Sequence, residues 1–192
     1  MRIFIAVLVL IFSFQSWTKA DDIRDFEIEG MSIGDSLLDY MSKEEIIKNI
    51  RKDGYKGSDG KFYDTSKRNF LNKYDEVGII LRKNDKKFII YSLEGVIYYD
   101  RNASSCIKQY KDVAEEFNNI FKDYEKIIKV NQKHPSDPSG KSFVDQTSFL
   151  KKTGSGAVVA CYRWSEEMNI EFYFSVGLDS DEFGTWLENY YK

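Results

Sequence analysis

The chain has 192 residues, 42% of them hydrophobic and 16% aromatic, with two prolines and a formal net charge of −3. Such a composition belongs to a folded globular chain and excludes a disordered one. Acidic and basic residues are interspersed with no basic block, which argues against nucleic acid and anionic membrane surfaces as partners.

The opening "MRIFIAVLVLIFSFQSWTKA" has an early positive charge at Arg2, an apolar run from Ile3 to Phe12, and small residues at Thr18 and Ala20. That is the layout of a secretory signal over residues 1–20, cleaved after Ala20. The apolar run falls short of the roughly 20 residues that cross a bilayer. No later stretch is apolar enough to re-enter one, so no stable membrane insertion is expected after cleavage. Loss of Arg2 and Lys19 takes the net charge from −3 to −5 and leaves residues 21–192, a length that suits one domain. The protein is therefore expected to be exported, to the periplasm or the extracellular space.

In "EIEGMSIGDSLLDYMSKEEIIKNI" two serines look like helix openings. Ser32 stands three residues before Asp35, and Ser42 three before Glu45, each as a capping box does. Ile33, Leu37 and Met41 then predict a short first helix, and Ile46, Ile47 and Ile50 the stripe of a second. "GYKGSDGK", residues 54–61, reads as a loop, and it lacks the oxygen ladder and final glutamate of a calcium loop.

"VGIILR" and "KFIIYS" are β-rich runs joined by a polar turn, which predicts a hairpin. "GVIYYD" either extends the second strand past a bulge at Gly95 or forms a third strand. From Ala103 to Lys126 the spacing of Cys106, Tyr110, Val113, Phe117, Ile120, Phe121 and Tyr124 predicts the longest helix. A loop at about residues 130–141 follows, carrying both prolines. Strands are expected over 142–150, 157–164 and 169–178, then a final helix capped by Asp179 and Glu182, with Leu178 stapled on Phe183. Helices at the start, middle and end, with strands in hairpin groups, predict an α+β fold. Its mainly antiparallel sheet carries a short N-terminal helix pair, a long central helix and a C-terminal helix.

Candidate chemistry is sparse. "PSDPSGKS" keeps only Gly140, Lys141 and Ser142 of a phosphate loop, and Pro135 stands where the first glycine is needed. His134 is the single histidine, so a nucleophilic set would have to be Cys106, His134 and Asp137, yet Cys106 lies on the apolar face of its helix. Transition metals need several His or Cys ligands, and Asp179, Asp181 and Glu182 are accounted for as a helix cap. No catalytic, cofactor or metal residue is therefore assigned. Cys106 and Cys161 are expected to form a disulfide, with two buried thiols as the alternative. The aromatic excess on the predicted strands leaves Tyr98, Tyr162, Trp164 and Tyr173 as a candidate binding surface.

The stretches "FEIEGMSIGDSLLDYMSKEEI", "IIYSLEGVIYYD" and "ACYRWSEEM" together resemble small exported proteins of unknown function from AT-rich marine bacteria. The resemblance covers most of residues 21–192 and implies no assigned activity or site. "GMSIGDSL" and the helix, helix, strand order are also similar to small modules of outer-membrane assembly lipoproteins and of the β-lactamase inhibitor protein. Those modules act by binding other proteins, and this chain lacks their lipidation cysteine. The expected function is an exported envelope or periplasmic module that binds a protein or other macromolecule. The alternative is a periplasmic small-molecule binder, or an uncommon hydrolase with a cleft beside the His134 loop.

Overall fold

The computed structural model describes residues 22–51, 60–68 and 73–190. The expected signal segment 1–20 and most of the expected loop at 54–61 lie outside the described residues.

After a 3-10 turn at Ile23–Asp25, the first two strands form a short hairpin, β1 (Glu27–Ile28) against β2 (Met31–Ser32). Glu29 and Gly30 turn it at φ 54° and 78°, the left-handed pair that a tight hairpin demands. Ser32 does not open a helix. Gly34 sits at φ 96° and breaks helical geometry, so Ser32 and Asp35 close a turn in which the Ser32 amide donates to Asp35 Oδ2 at 2.9 Å. The expected first helix shrinks to a single 3-10 turn, Leu37–Asp39, capped by Ser36. The second opening is as expected. The Glu45 amide donates to Ser42 Oγ at 3.2 Å and starts α1 (Lys43–Asn49). The Glu45 carboxylate turns away from the cap and accepts from Lys67 Nζ at 2.6 Å.

Among the described residues seven strands form one antiparallel sheet: β3 (Phe62–Arg68), β4 (Glu76–Arg82), β5 (Ile90–Tyr98), β6 (Glu125–Lys133), β7 (Phe143–Leu150), β8 (Gly156–Arg163) and β9 (Tyr173–Asp179). Their order is β3-β4-β5-β9-β8-β7-β6. The first three run as a meander. The long helix α2 (Ala103–Ile120) then carries the chain to the far edge, from which β6, β7 and β8 return and β9 fills the gap beside β5. α3 (Asp181–Tyr190) closes the chain. The fold is α+β with helices packed on an antiparallel sheet, as the sequence predicts.

Several boundaries differ from expectation. α2 stops at Ile120, not Lys126, and residues 125–133 form β6 instead of helix and loop. Every residue of β6 is exposed, so no buried alternation marks it in the sequence. β3 has no counterpart among the expected strands, and β9 begins at Tyr173, after a 3-10 turn at Glu166–Met168. "GVIYYD" extends β5, and the extra residue of the bulge is Tyr91, between the pairs Leu81↔Ile90 and Ile80↔Ser92. Gly95 answers a different need, since a Cβ there would stand 2.6 Å from the Tyr74 ring. α3 is capped by Ser180, whose Oγ accepts from the Phe183 amide at 3.3 Å, and not by Asp179. The expected staple fails because Leu178 and Phe183 join different apolar clusters.

α2 lies across the middle of one sheet face. Cys106, Tyr110, Phe117 and Phe121 meet Phe149, Ala157, Val159, Phe174 and Val176 there, and Ile28, Met31, Leu37 and Ile46 from the N-terminal segment extend the same core. The Tyr110 hydroxyl pairs with Thr147 Oγ1 at 2.8 Å inside it. Cys106 and Cys161 are joined by a disulfide, which fixes the first turn of α2 to the interior strand β8. α3 packs on the opposite face at one end, where Phe183 and Trp186 surround Phe62. Among the described residues no helix is long and apolar enough to cross a membrane.

Candidate functional site

The face away from α2 carries a transverse aromatic row. Strand register places Tyr98 on β5 opposite Tyr173 on β9, and Tyr173 opposite Tyr162 on β8. Ring centroids are 6.0 Å apart in the first pair and 4.6 Å in the second, which is stacked. Trp164, two residues after Tyr162 and so on the same side of the strand, lies parallel to it at 6.4 Å. All four residues of the predicted binding surface are thus brought together from three strand segments. Sequence reasoning kept His134 apart from them, in a loop. The loop after β6 instead folds it onto the row, 4.2 Å from Trp164 and 5.7 Å from Tyr162.

Polar groups fix the two ends. At the Tyr98 end the Arg68 guanidinium lies 5.5 Å from the ring centroid. Glu76 accepts there from Arg68 Nε at 3.0 Å and from the Tyr98 hydroxyl at 2.9 Å. Burial pushes the Glu76 carboxyl up, but hydrogen bonds from Ser66, Tyr98 and Arg68 outweigh it and hold Glu76 below its usual range. At the other end His134 Nδ1 accepts from the Ser136 amide at 3.2 Å, which puts the proton of the neutral ring on Nε2. Burial lowers the His134 pKa and favours that neutral ring. Burial, with the Tyr162 hydroxyl next, holds the Tyr173 phenol protonated. The Trp164 Nε1–H is buried and, among the described residues, has no acceptor in hydrogen-bond geometry.

Beside the row the floor of this face is acidic. Glu94 stands between Gly78 and Gly177 on the neighbouring strands, and the next row pairs Ser92 with Asp179. Burial raises the Glu94 pKa, and the nearby Asp179, Asp64 and Glu76 carboxylates add to it. Burial also lifts Asp179 to about 6, although the Ser92 hydroxyl donates to it at 2.6 Å. No strand pattern flags these acids, because the glycines that make room for Glu94 come from other strands.

An open cleft of about 580 Å³ adjoins the Tyr98 end, lined by Arg68, Asp75, Tyr98, Tyr99, Asn102 and Glu171 among others. His134 is not among the residues that line it. Asp100 and Arg101 turn the chain beside it at φ 31° and 60°, conformations that cost non-glycine residues energy.

The remaining candidates resolve against chemistry. Cys106 is spent in the disulfide, so the set of Cys106, His134 and Asp137 has no nucleophile. The phosphate-loop lookalike is filled by its own carboxylate. Asp137 Oδ2 accepts from the Ser142 amide at 2.9 Å, the Ser142 hydroxyl at 2.6 Å and the Ser139 hydroxyl at 2.9 Å. Those bonds, the Ser142 hydroxyl foremost, hold the Asp137 pKa far below the usual carboxylate range. Lys141 is paired with Glu167 at 2.5 Å. Asp179 and Asp181 belong to different bonds, the latter accepting from the Ser155 amide at 3.0 Å. Among the described residues no group of three or more His, Cys, Asp or Glu could hold a metal ion.

In comparisons with known proteins, no family model, no curated protein and no solved structure matches the chain.

Proposed function

We propose that this chain is an exported binding module of the bacterial envelope that docks a protein or other macromolecule on the aromatic face of its sheet. The observation that carries the reading is the continuous row of half-buried Tyr98, Tyr173 and Tyr162, packed ring against ring and backed by the buried Trp164. Rings already held by their neighbours lose little side-chain freedom on docking, which is what a preordered contact surface needs. Because Tyr162 and Tyr173 stack on each other, they offer a partner ring edges in place of open faces. That suits a partner with its own polar groups, such as a peptide backbone. Export is supported by the signal-like opening and by the Cys106–Cys161 bond, since disulfides persist in oxidising compartments.

The test is cross-linking in intact cells followed by affinity capture, with the native chain, the double variant Arg68→Glu/Tyr98→Ala, and Lys108→Glu on α2 as a control. A species recovered by the native chain and the control, and reduced at least about tenfold with the double variant, supports the reading. Recovery of no specific species, or equal recovery by all three chains, overturns it.

A further inference from the structure

The two edges of the sheet are treated differently. At β3 the chain covers its own edge: Ile50 bridges Thr65, the Arg51 amide donates to Asp64 O at 2.9 Å, and the Arg51 guanidinium pairs with Asp64 at 3.2 Å. At β6 no further strand follows among the described residues. Among the described residues six large hydrophobic side chains are exposed, and three of them, Ile127, Ile128 and Val130, sit on this one strand. An edge of this kind is a template for another strand.

We infer that β6 is the contact by which two copies of this chain pair, antiparallel about a two-fold axis at Ile127. The inference is independent of the docking reading and uses a different surface. The regular part of β6 is Glu125–Lys129, because the pairing with β7 breaks between Lys129 and Gln132. That break is built in: Asn131 turns at φ 51°, its amide donates to Asp145 Oδ1 at 2.6 Å, and Asp145 is held by Arg163 at 2.8 Å. The free edge is therefore five residues long with Ile127 at its centre.

Antiparallel partners face each other within the same hydrogen-bonding class, so a strand paired with itself must be centred on a residue and not between two. Centring on Lys126 or Lys129 sets lysine on lysine. Centring on Ile128 runs Glu125 against Asn131, in the bulge. Centring on Ile127 uses the whole regular edge: Glu125 faces Lys129 of the second copy twice over, Ile127 faces itself, and Lys126 faces Ile128. Opposite charges directly across a strand pair stabilise it and like charges weaken it, so the pattern is complementary to itself in this register. A contact this short lies well below the ~1,200 Å² of a standard interface, so its dissociation constant should be roughly micromolar or weaker.

Sedimentation velocity of the oxidised chain over roughly a hundredfold range of concentration reads the pairing directly. The expected result is a monomer that becomes a dimer as concentration rises. Glu125→Lys or Lys129→Glu alone should weaken dimerisation about tenfold or more by placing like charges in opposition, and the double swap Glu125→Lys/Lys129→Glu should restore it. Ile127→Lys should abolish it. A monomer at every concentration overturns the inference and leaves the lysines and the bulge as devices that protect the edge. A dimer unmoved by the single swaps, or not rescued by the double one, overturns it as well.

Discussion

Burial decides what the acids of the aromatic face do to stability. Asp179 ionises at about 6 in the folded chain, chiefly because it is buried, whereas an unfolded aspartate ionises near 3.9. Between those values the folded state keeps a proton that the unfolded state has lost. Asp179 therefore costs nothing below about pH 4, and its cost grows as pH rises through about 6, to on the order of 2 kcal/mol near neutrality. Glu94 is raised in the same sense. Asp137 has the opposite sign, because hydrogen bonding depresses it, and its contribution is lost only as pH falls below about 4. Asp179→Asn removes one titration and leaves the others. It should stabilise the chain near neutral pH by about 2 kcal/mol and show no advantage near pH 4, measured as urea midpoints across that range. An advantage that does not change with pH would contradict the assignment. At this scale the sequence shows that Tyr162 and Trp164 share a side of their strand, because they are two residues apart. It cannot show that Glu94 sits between two glycines, since Gly78 and Gly177 reach it from β4 and β9.

Elements were legible where burial imprints a period on them. α2 shows its stripe from Cys106 to Phe121, and β8 and β9 send alternate residues, Ala157, Val159 and Cys161 on one and Phe174, Val176 and Leu178 on the other, into the core beneath it. β6 has no buried position to alternate with, so "EKIIKV" reads as the tail of the helix before it. Ser32 and Ser42 offer the same local signal and part company at Gly34, whose φ of 96° no helix accommodates. α3 depends on another glycine pair. A Cβ on Gly184 would lie 1.9 Å from Gly154 O, closer than atoms can approach, and that oxygen is backbone in the β7–β8 turn. Gly184→Ala would raise intrinsic helix propensity by about 1 kcal/mol, but it must push α3 off the turn. The net expectation is a loss of about 2 kcal/mol, with faster hydrogen exchange in α3 and around Phe62 than in α2. A stabilised variant would show that propensity outweighs the close approach.

For the whole molecule, the sheet order depends on a step that no local pattern encodes. β9 must enter between β5 and β8, strands separated in sequence by α2, β6 and β7. Its alternation is visible in the sequence, but an alternating strand fits a sheet edge as well as its middle. The disulfide bears on that choice. It closes a loop of 55 residues from the first turn of α2 to β8, so the helix, β6, β7 and the strand beside β9 all lie on one covalent ring. The Cys106 sulfur also lies 3.3 Å from Tyr173 O at the start of β9, so the bond sits where the last strand joins. Closing a loop of that length restricts the unfolded chain by about 4 kcal/mol in the chain-entropy model. Cys106→Ala/Cys161→Ala keeps the site apolar and removes the bond. It should lower the unfolding free energy by about that amount, with most of the change in the denatured state and little in the native sheet. Denaturant curves of the oxidised chain and the variant measure it, and a rise in the slope m is expected as the unfolded ensemble expands. A loss below about 1 kcal/mol with an unchanged slope would mean that the residues brought together at α2, β8 and β9 hold the strand order without the cross-link.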